Sequence, residues 1–292
     1  MGISKKISVF MLVFVMGSIG IMAVEPGQSR AENEALYGVN SSVDGLFSIK
    51  KTKSVNVNVI GRLNSDSQSN EPKSKFITPS GMASRPSDGA LFVWNNKEKI
   101  QGKTIHTGDL LEVDKCSGSA SVVGPKKSQG LDLKALAFGE DGVLYGLNDS
   151  LYKIDTNTGE TKPIGSPSGW FYRKWLRIGA ADFDPKTGAL YAVESRHSRS
   201  QRIVTVNTST GKVTKVGMVS EEFAPVGSIV FTPNGTLIGS GGWGSKAFLF
   251  EMDTKGNVLK SWNVKSPFMP QGMAFGTLCG ETNRLSSVIE DR

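Results

Sequence analysis

Histidine and cysteine are both scarce. His106 and His197 are the only histidines, and Cys116 and Cys279 the only cysteines, in 292 residues. No second His or Cys stands at metal-ligand spacing from any of them, so no metal site is expected. No Gly-x-Ser-x-Gly elbow stands at a strand-to-helix turn, and the stretch from Gly118 to Gly124 does not fit one. Beyond residue 24 there is no long apolar run. No Cys follows the N-terminal apolar run, which argues against a lipid anchor. No cofactor motif and no catalytic residue are assigned.

The first 31 residues read as a signal peptide. Lys5 and Lys6 form a basic start, an apolar run spans Ile7 to Val24, and Ser29-Arg30-Ala31 is a small-x-small cleavage site. A cut after Ala23 is an alternative, and so is an uncleaved anchor, whose core of about 18 residues sits at the short edge of spanning length. With cleavage, no stable membrane insertion remains and the protein is periplasmic or secreted. The whole chain carries +7; removing residues 1–31 takes away Lys5, Lys6, Arg30 and Glu25, leaving +5. That charge suits an anionic partner, and solubility explains it equally well. Export speaks against nucleic acid. Residues 64–76 read as a solvated loop and 281–292 as a mobile tail.

One phrase recurs about every 45 residues, the signature of a radial or solenoid repeat. Phe138-Gly-Glu-Asp-Gly-Val-Leu-Tyr-Gly146 returns as Phe183-Asp-Pro-Lys-Thr-Gly-Ala-Leu-Tyr-Ala192 and as Phe231-Thr-Pro-Asn-Gly-Thr-Leu-Ile-Gly239. Ser84 to Phe92 is a looser copy, and Gln271 to Phe275 is a fifth start. A second phrase follows each full copy, as in Ile154-Asp-Thr-Asn-Thr-Gly159 and Val206-Asn-Thr-Ser-Thr-Gly211. Both phrases are hairpins, because Asp-Gly, Asn-Gly and Thr-Gly supply turn residues between β-formers. Two hairpins in series make one four-stranded blade.

The fold class is therefore all-β: a β-propeller over residues 35–280, with five blades. The fifth inner strand, 271–275, has no partners after it, while the segment from Leu36 to Gly61 supplies three strands without an inner one. The first blade is closed by strands from both termini, which leaves only short edges. A sixth blade around residues 62–80 is the alternative. Cys116 lies in a third-to-fourth-strand turn of the second blade, and Cys279 follows the closing strand. Both fall on one face of neighbouring blades, so a disulfide is expected, with two free thiols as the alternative.

Propeller topology puts the short turns on one face and the long loops and crossings on the other. The long-loop face carries Trp170, Tyr172, Arg173, Trp175, Arg177, Glu194, Arg196, His197, Arg199 and Trp243. Aromatic faces beside guanidinium groups suit a sugar, a flat ring or an anionic group. Long stretches, among them Trp94 to Thr107, read as irregular loops there. The short-turn face offers little surface for recognition.

The phrases Phe-x-Pro-x-Gly-x-Leu-Tyr and Ile-Asp-x-x-Thr-Gly resemble the secreted bacterial propellers of the YVTN, NHL and streptogramin-lyase-like superfamily over residues 36–276. That resemblance implies the fold and not an activity, since its members bind proteins, sugars or cofactors and some are metal-dependent lactonases or lyases. The reading it leaves is an exported, non-catalytic binding or scaffold propeller. Its partner would be a protein, a glycan or an anionic small molecule. The alternative is a lactonase-like hydrolase or lyase acting at the same face.

Overall fold

The structure, a computed structural model, describes residues 34–42, 44–51, 54–63, 76–100, 103–125, 130–165, 177–195, 201–242, 246–264 and 269–279. The segments read as signal peptide and C-terminal tail lie outside them. Among the described residues, twenty strands form five four-stranded antiparallel sheets, with one 3-10 turn at Glu221–Phe223. Blade one orders β20 (Gly272–Thr277), β1 (Glu34–Asn40), β2 (Gly45–Lys51) and β3 (Val55–Arg62). Blade two holds β4 (Phe76–Ser84), β5 (Leu91–Ile100), β6 (Lys103–Val113) and β7 (Ala120–Val122). Blade three holds β8 (Ala135–Phe138), β9 (Leu144–Leu147), β10 (Leu151–Ile154) and β11 (Thr161–Gly165). Blade four holds β12 (Arg177–Phe183), β13 (Leu190–Ser195), β14 (Gln201–Val206) and β15 (Val213–Val219). Blade five holds β16 (Val226–Phe231), β17 (Leu237–Gly241), β18 (Ala247–Met252) and β19 (Val258–Val264).

The inner strands β20, β4, β8, β12 and β16 each contact the next, and β16 meets β20. The ring is closed at five blades, and the first is built from both ends of the described chain. No sixth sheet occurs among the described residues.

The repeated phrase has a physical job between blades. Its aromatic in the second strand packs on the terminal Phe of the next blade's inner strand. Phe92 meets Phe138 at 5.6 Å between centroids, Tyr145 meets Phe183 at 5.5 Å, and Tyr191 meets Phe231 at 5.4 Å. Such pairs add about 0.5–1.5 kcal/mol beyond their buried area. Where Ser84 replaces Phe, the partner Tyr37 turns its hydroxyl to donate to the Thr277 carbonyl instead.

A second joint repeats at the rim. A glycine near the outer strand of one blade lies against the third-to-fourth-strand turn of the next: Gly61 on Ser117, Gly124 on Thr158, Gly165 on Thr210 and Gly217 on Lys255. A Cβ on Gly217 would stand 1.8 Å from the Lys255 carbonyl oxygen, so no side chain fits. The fifth joint, from blade five to blade one, is different. There Trp262 is buried, with the ammonium groups of Lys51 and Lys260 over its ring, and Lys51 pairs with Glu251.

One expectation is corrected. The stretch from Trp94 to Thr107 is a long hairpin of β5 and β6, paired as far as Ile100 opposite Lys103. Near its tip, Lys103 to His106 are exposed. No apolar face marks that segment, so period-two alternation is missing from its sequence.

Candidate functional site

The second strand of each blade has an equivalent position toward the long-loop face, four residues after Leu36, Leu91, Leu144, Leu190 or Leu237. Its occupants are Asn40, Asn95, Asn148, Glu194 and Gly241. Four of the five are amides or a carboxylate, and each reaches a different target. Asn40 donates through Nδ2 to the Met269 carbonyl, while its Oδ1 accepts from the Ser42 N–H at 2.7 Å. Asn95 accepts the Thr78 N–H at 3.3 Å.

The crossing from blade two to blade three is pinned at three consecutive carbonyls. Trp94 Nε1 donates to Leu131 O at 3.0 Å, Asn148 Nδ2 to Asp132 O at 2.6 Å, and Asn96 Nδ2 to Leu133 O at 3.0 Å. Ser80 Oγ also donates to Leu133 O at 2.6 Å. Irregular backbone cannot satisfy its own polar groups when buried, so side chains from both flanking blades do so. The Asn148 carbonyl in turn accepts the N–H of Ile178, whose Cα is in register with Glu194. Asn96, Asn148 and Glu194 thus follow one another around the long-loop end of blades two to four.

Each of these three has one buried acceptor oxygen with no hydrogen-bond partner among the described residues: Asn96 Oδ1, Asn148 Oδ1 and Glu194 Oε1. A buried acceptor left without a donor costs about 1–3 kcal/mol. Glu194 is fully buried, and its other oxygen accepts two hydrogen bonds from the Arg202 guanidinium, the Nε one at 2.6 Å. Nearby, Lys134 pairs with Asp132 at 2.7 Å across partly exposed surface.

Of the residues singled out by sequence on this face, Glu194 is the one whose side chain is described. Arg177 is described only as the first residue of β12. Trp170, Tyr172, Arg173, Trp175, Arg196, His197, Arg199 and Trp243 lie outside the described residues. Asp182, an acid on an inner strand, accepts the Phe231 N–H at 2.7 Å, so it ties β12 to β16. The arc residues Asn96 and Asn148 were not singled out by sequence. For Asn148 the signal was the Asn shared with Asn40 and Asn95 at one position of three second strands; Asn96 lies one residue beyond that position and carried no such signal.

The disulfide between Cys116 and Cys279 is formed, with Cα atoms 5.1 Å apart. Among the described residues no group of three His, Cys, Asp or Glu is placed to hold a metal ion. Nor is any described helix long and apolar enough to cross a membrane.

The short-turn face is less bare than its sequence implies. The inner strands end there around an axial cavity of about 340 Å³, walled by Phe138, Phe183, Phe231 and Phe275. Arg85 also lines it and is held by Asp88 through Nε at 2.9 Å and a terminal nitrogen at 2.6 Å.

The class is a five-bladed β-propeller with a disulfide beside its closing blade. No protein-family model matches the chain, and no curated protein matches it. Among solved structures it is similar to the PQQ-bound aldose sugar dehydrogenase of Streptomyces coelicolor, at 12% identity and TM-score 0.47 over 82% of this chain and 81% of that one. It is similar to a catalytically inactive virginiamycin B lyase of Staphylococcus aureus with quinupristin, at 14% identity and TM-score 0.42 over 82% and 73%. A periplasmic gluconolactonase of Pseudomonas aeruginosa aligns at 16% identity and TM-score 0.42 over 84% and 70%. The fold assignment rests on the sheet topology above, and no activity passes from these proteins to this chain.

Proposed function

We propose that the chain is an exported, non-catalytic binding propeller whose long-loop face receives a glycan. The observation that carries this reading is the arc of acceptor oxygens on Asn96, Asn148 and Glu194. These oxygens are buried, so a side-chain rotation at the long-loop end would have to bring them to a ligand; sugar hydroxyls are donors and would then satisfy them, whereas a bare anion would not. Tryptophans 170, 175 and 243 would supply stacking faces, and Arg173, Arg196 and Arg199 would answer acidic groups on the glycan. Side chains from two blades fix the crossing from blade two to blade three, so that part of the face needs little ordering on binding. An extracytoplasmic location fits the basic, apolar N-terminus and a disulfide, which persists in oxidising compartments.

The test is a panel of neutral and acidic glycans against the protein lacking residues 1–31. A glycan should bind, and Trp175→Ala should weaken it at least tenfold. Arg196→Ala should flatten the salt dependence for an acidic glycan, because exposed charges are screened within about 8–10 Å. A glycan indifferent to both substitutions would place the site elsewhere, and binding of none would end the reading.

A further inference from the structure

A cavity of about 570 Å³ lies under blade one, between β1, β2, the turn after β16 and the disulfide. Its walls include Ile49, Ile238, Phe275 and Leu278, and Cys116 and Cys279 form one side. Ligand cavities run from about 300 to 1,000 Å³, mostly apolar with a few polar groups that set orientation. Among the described residues, the charged ones lining it are Lys50, Lys51 and Lys115 and one acid, Glu34. Lys51 is held by Glu251, and Lys115 donates to Thr277 Oγ1, so two ammonium groups are fixed in place. Lys50 is exposed.

We infer that this cavity binds a single-chain amphiphile with an anionic head, the chemistry of a long-chain fatty acid. Apolar walls accept an alkyl chain, since every methylene moved out of water favours binding. They would leave a polar ligand's groups without partners. With Lys51 answered by Glu251, Lys50 and Lys115 outnumber Glu34 on the described walls and select a carboxylate over a neutral or cationic head. The site is on the opposite face from the proposed glycan site and shares no residue with it.

The experiment is calorimetric titration of the disulfide-intact protein with palmitate below its micelle concentration. We expect one saturable site per chain. The double variant Lys50→Glu/Lys115→Glu should weaken binding at least tenfold, and hexadecanol should bind at least tenfold more weakly than palmitate. Ile49→Trp should abolish binding by filling the cavity, with a thermal melt to show that the variant is folded. If that variant does not fold, the lysine pair decides, because it changes one exposed and one half-buried side chain. Trp175→Ala should leave palmitate binding unchanged, which separates this site from the glycan face. No saturable heat, several equivalents per chain, equal affinity for the alcohol, or an unaffected lysine variant would each overturn the inference.

Discussion

Asp44 joins blade one to blade two from an unfavourable position. It has φ of 46°, is 3% exposed, and accepts the Ile77 N–H at 3.3 Å. Burial raises its carboxyl from 3.8 to about 7, against smaller opposing effects from the Ile77 N–H and the Arg62 charge. Between about pH 4 and 7 the folded protein therefore keeps a proton that the unfolded chain has released. The contribution to stability is complete below the unfolded value and is lost as pH rises through about 7. Asn tolerates positive φ and carries no charge. Thermal melts should show the wild type losing more stability than Asp44→Asn between pH 4 and 7. Parallel curves would mean that Asp44 titrates normally.

At the scale of strands, glycines mark where blades touch. Gly217→Ala forces a Cβ into the Lys255 carbonyl, so the joint between blades four and five must open. Overpacking of this kind costs about 1–3 kcal/mol. Gly142 is the control: its φ is 76° but nothing lies within 4 Å of a Cβ. Gly142→Ala should carry only the left-handed backbone penalty, about 1–2 kcal/mol. Denaturant midpoints should fall in both variants, and hydrogen exchange should show lower protection around Gly256 in Gly217→Ala with no such change in Gly142→Ala. Equal local protection in both variants would refute the joint. The turn glycines were legible, because Asp-Gly and Thr-Gly are local signals. Gly61, Gly165 and Gly217 were not, because what they need is a neighbouring blade's turn against them. The same limit hid the acceptor arc: Asn148 reads as a strand-end residue until Asp132 and Ile178 are placed beside it. The Trp94 to Thr107 hairpin failed for a different reason, since its exposed tip has no apolar face to reveal period two.

For the molecule as a whole, the number and order of blades were readable from the repeat, and so was the disulfide's face. The bridge spans 163 residues. By chain entropy a loop of that length adds about 5 kcal/mol, less any native-state cost. Unreduced, denatured protein should take up no thiol label and reduced protein two. Cys116→Ser/Cys279→Ser should lower the denaturant midpoint by several kcal/mol equivalent while leaving the folded circular dichroism spectrum intact. An unchanged midpoint would show that strand pairing between β20 and β1 alone latches the ring.

That latch also sets an order of arrival. Strands β1 to β3 are made first, yet the strand that fills their inner edge, β20, is the last described element of the chain. A chain emerging N-terminus first therefore carries an open edge on β1 for as long as blades two to five take to appear. An open strand edge pairs with whatever strand reaches it. In a crowded compartment the nearest candidate is the final strand of a neighbouring copy, which would close one ring with another's end. Cys116 and Cys279 would then covalently record which partner arrived first.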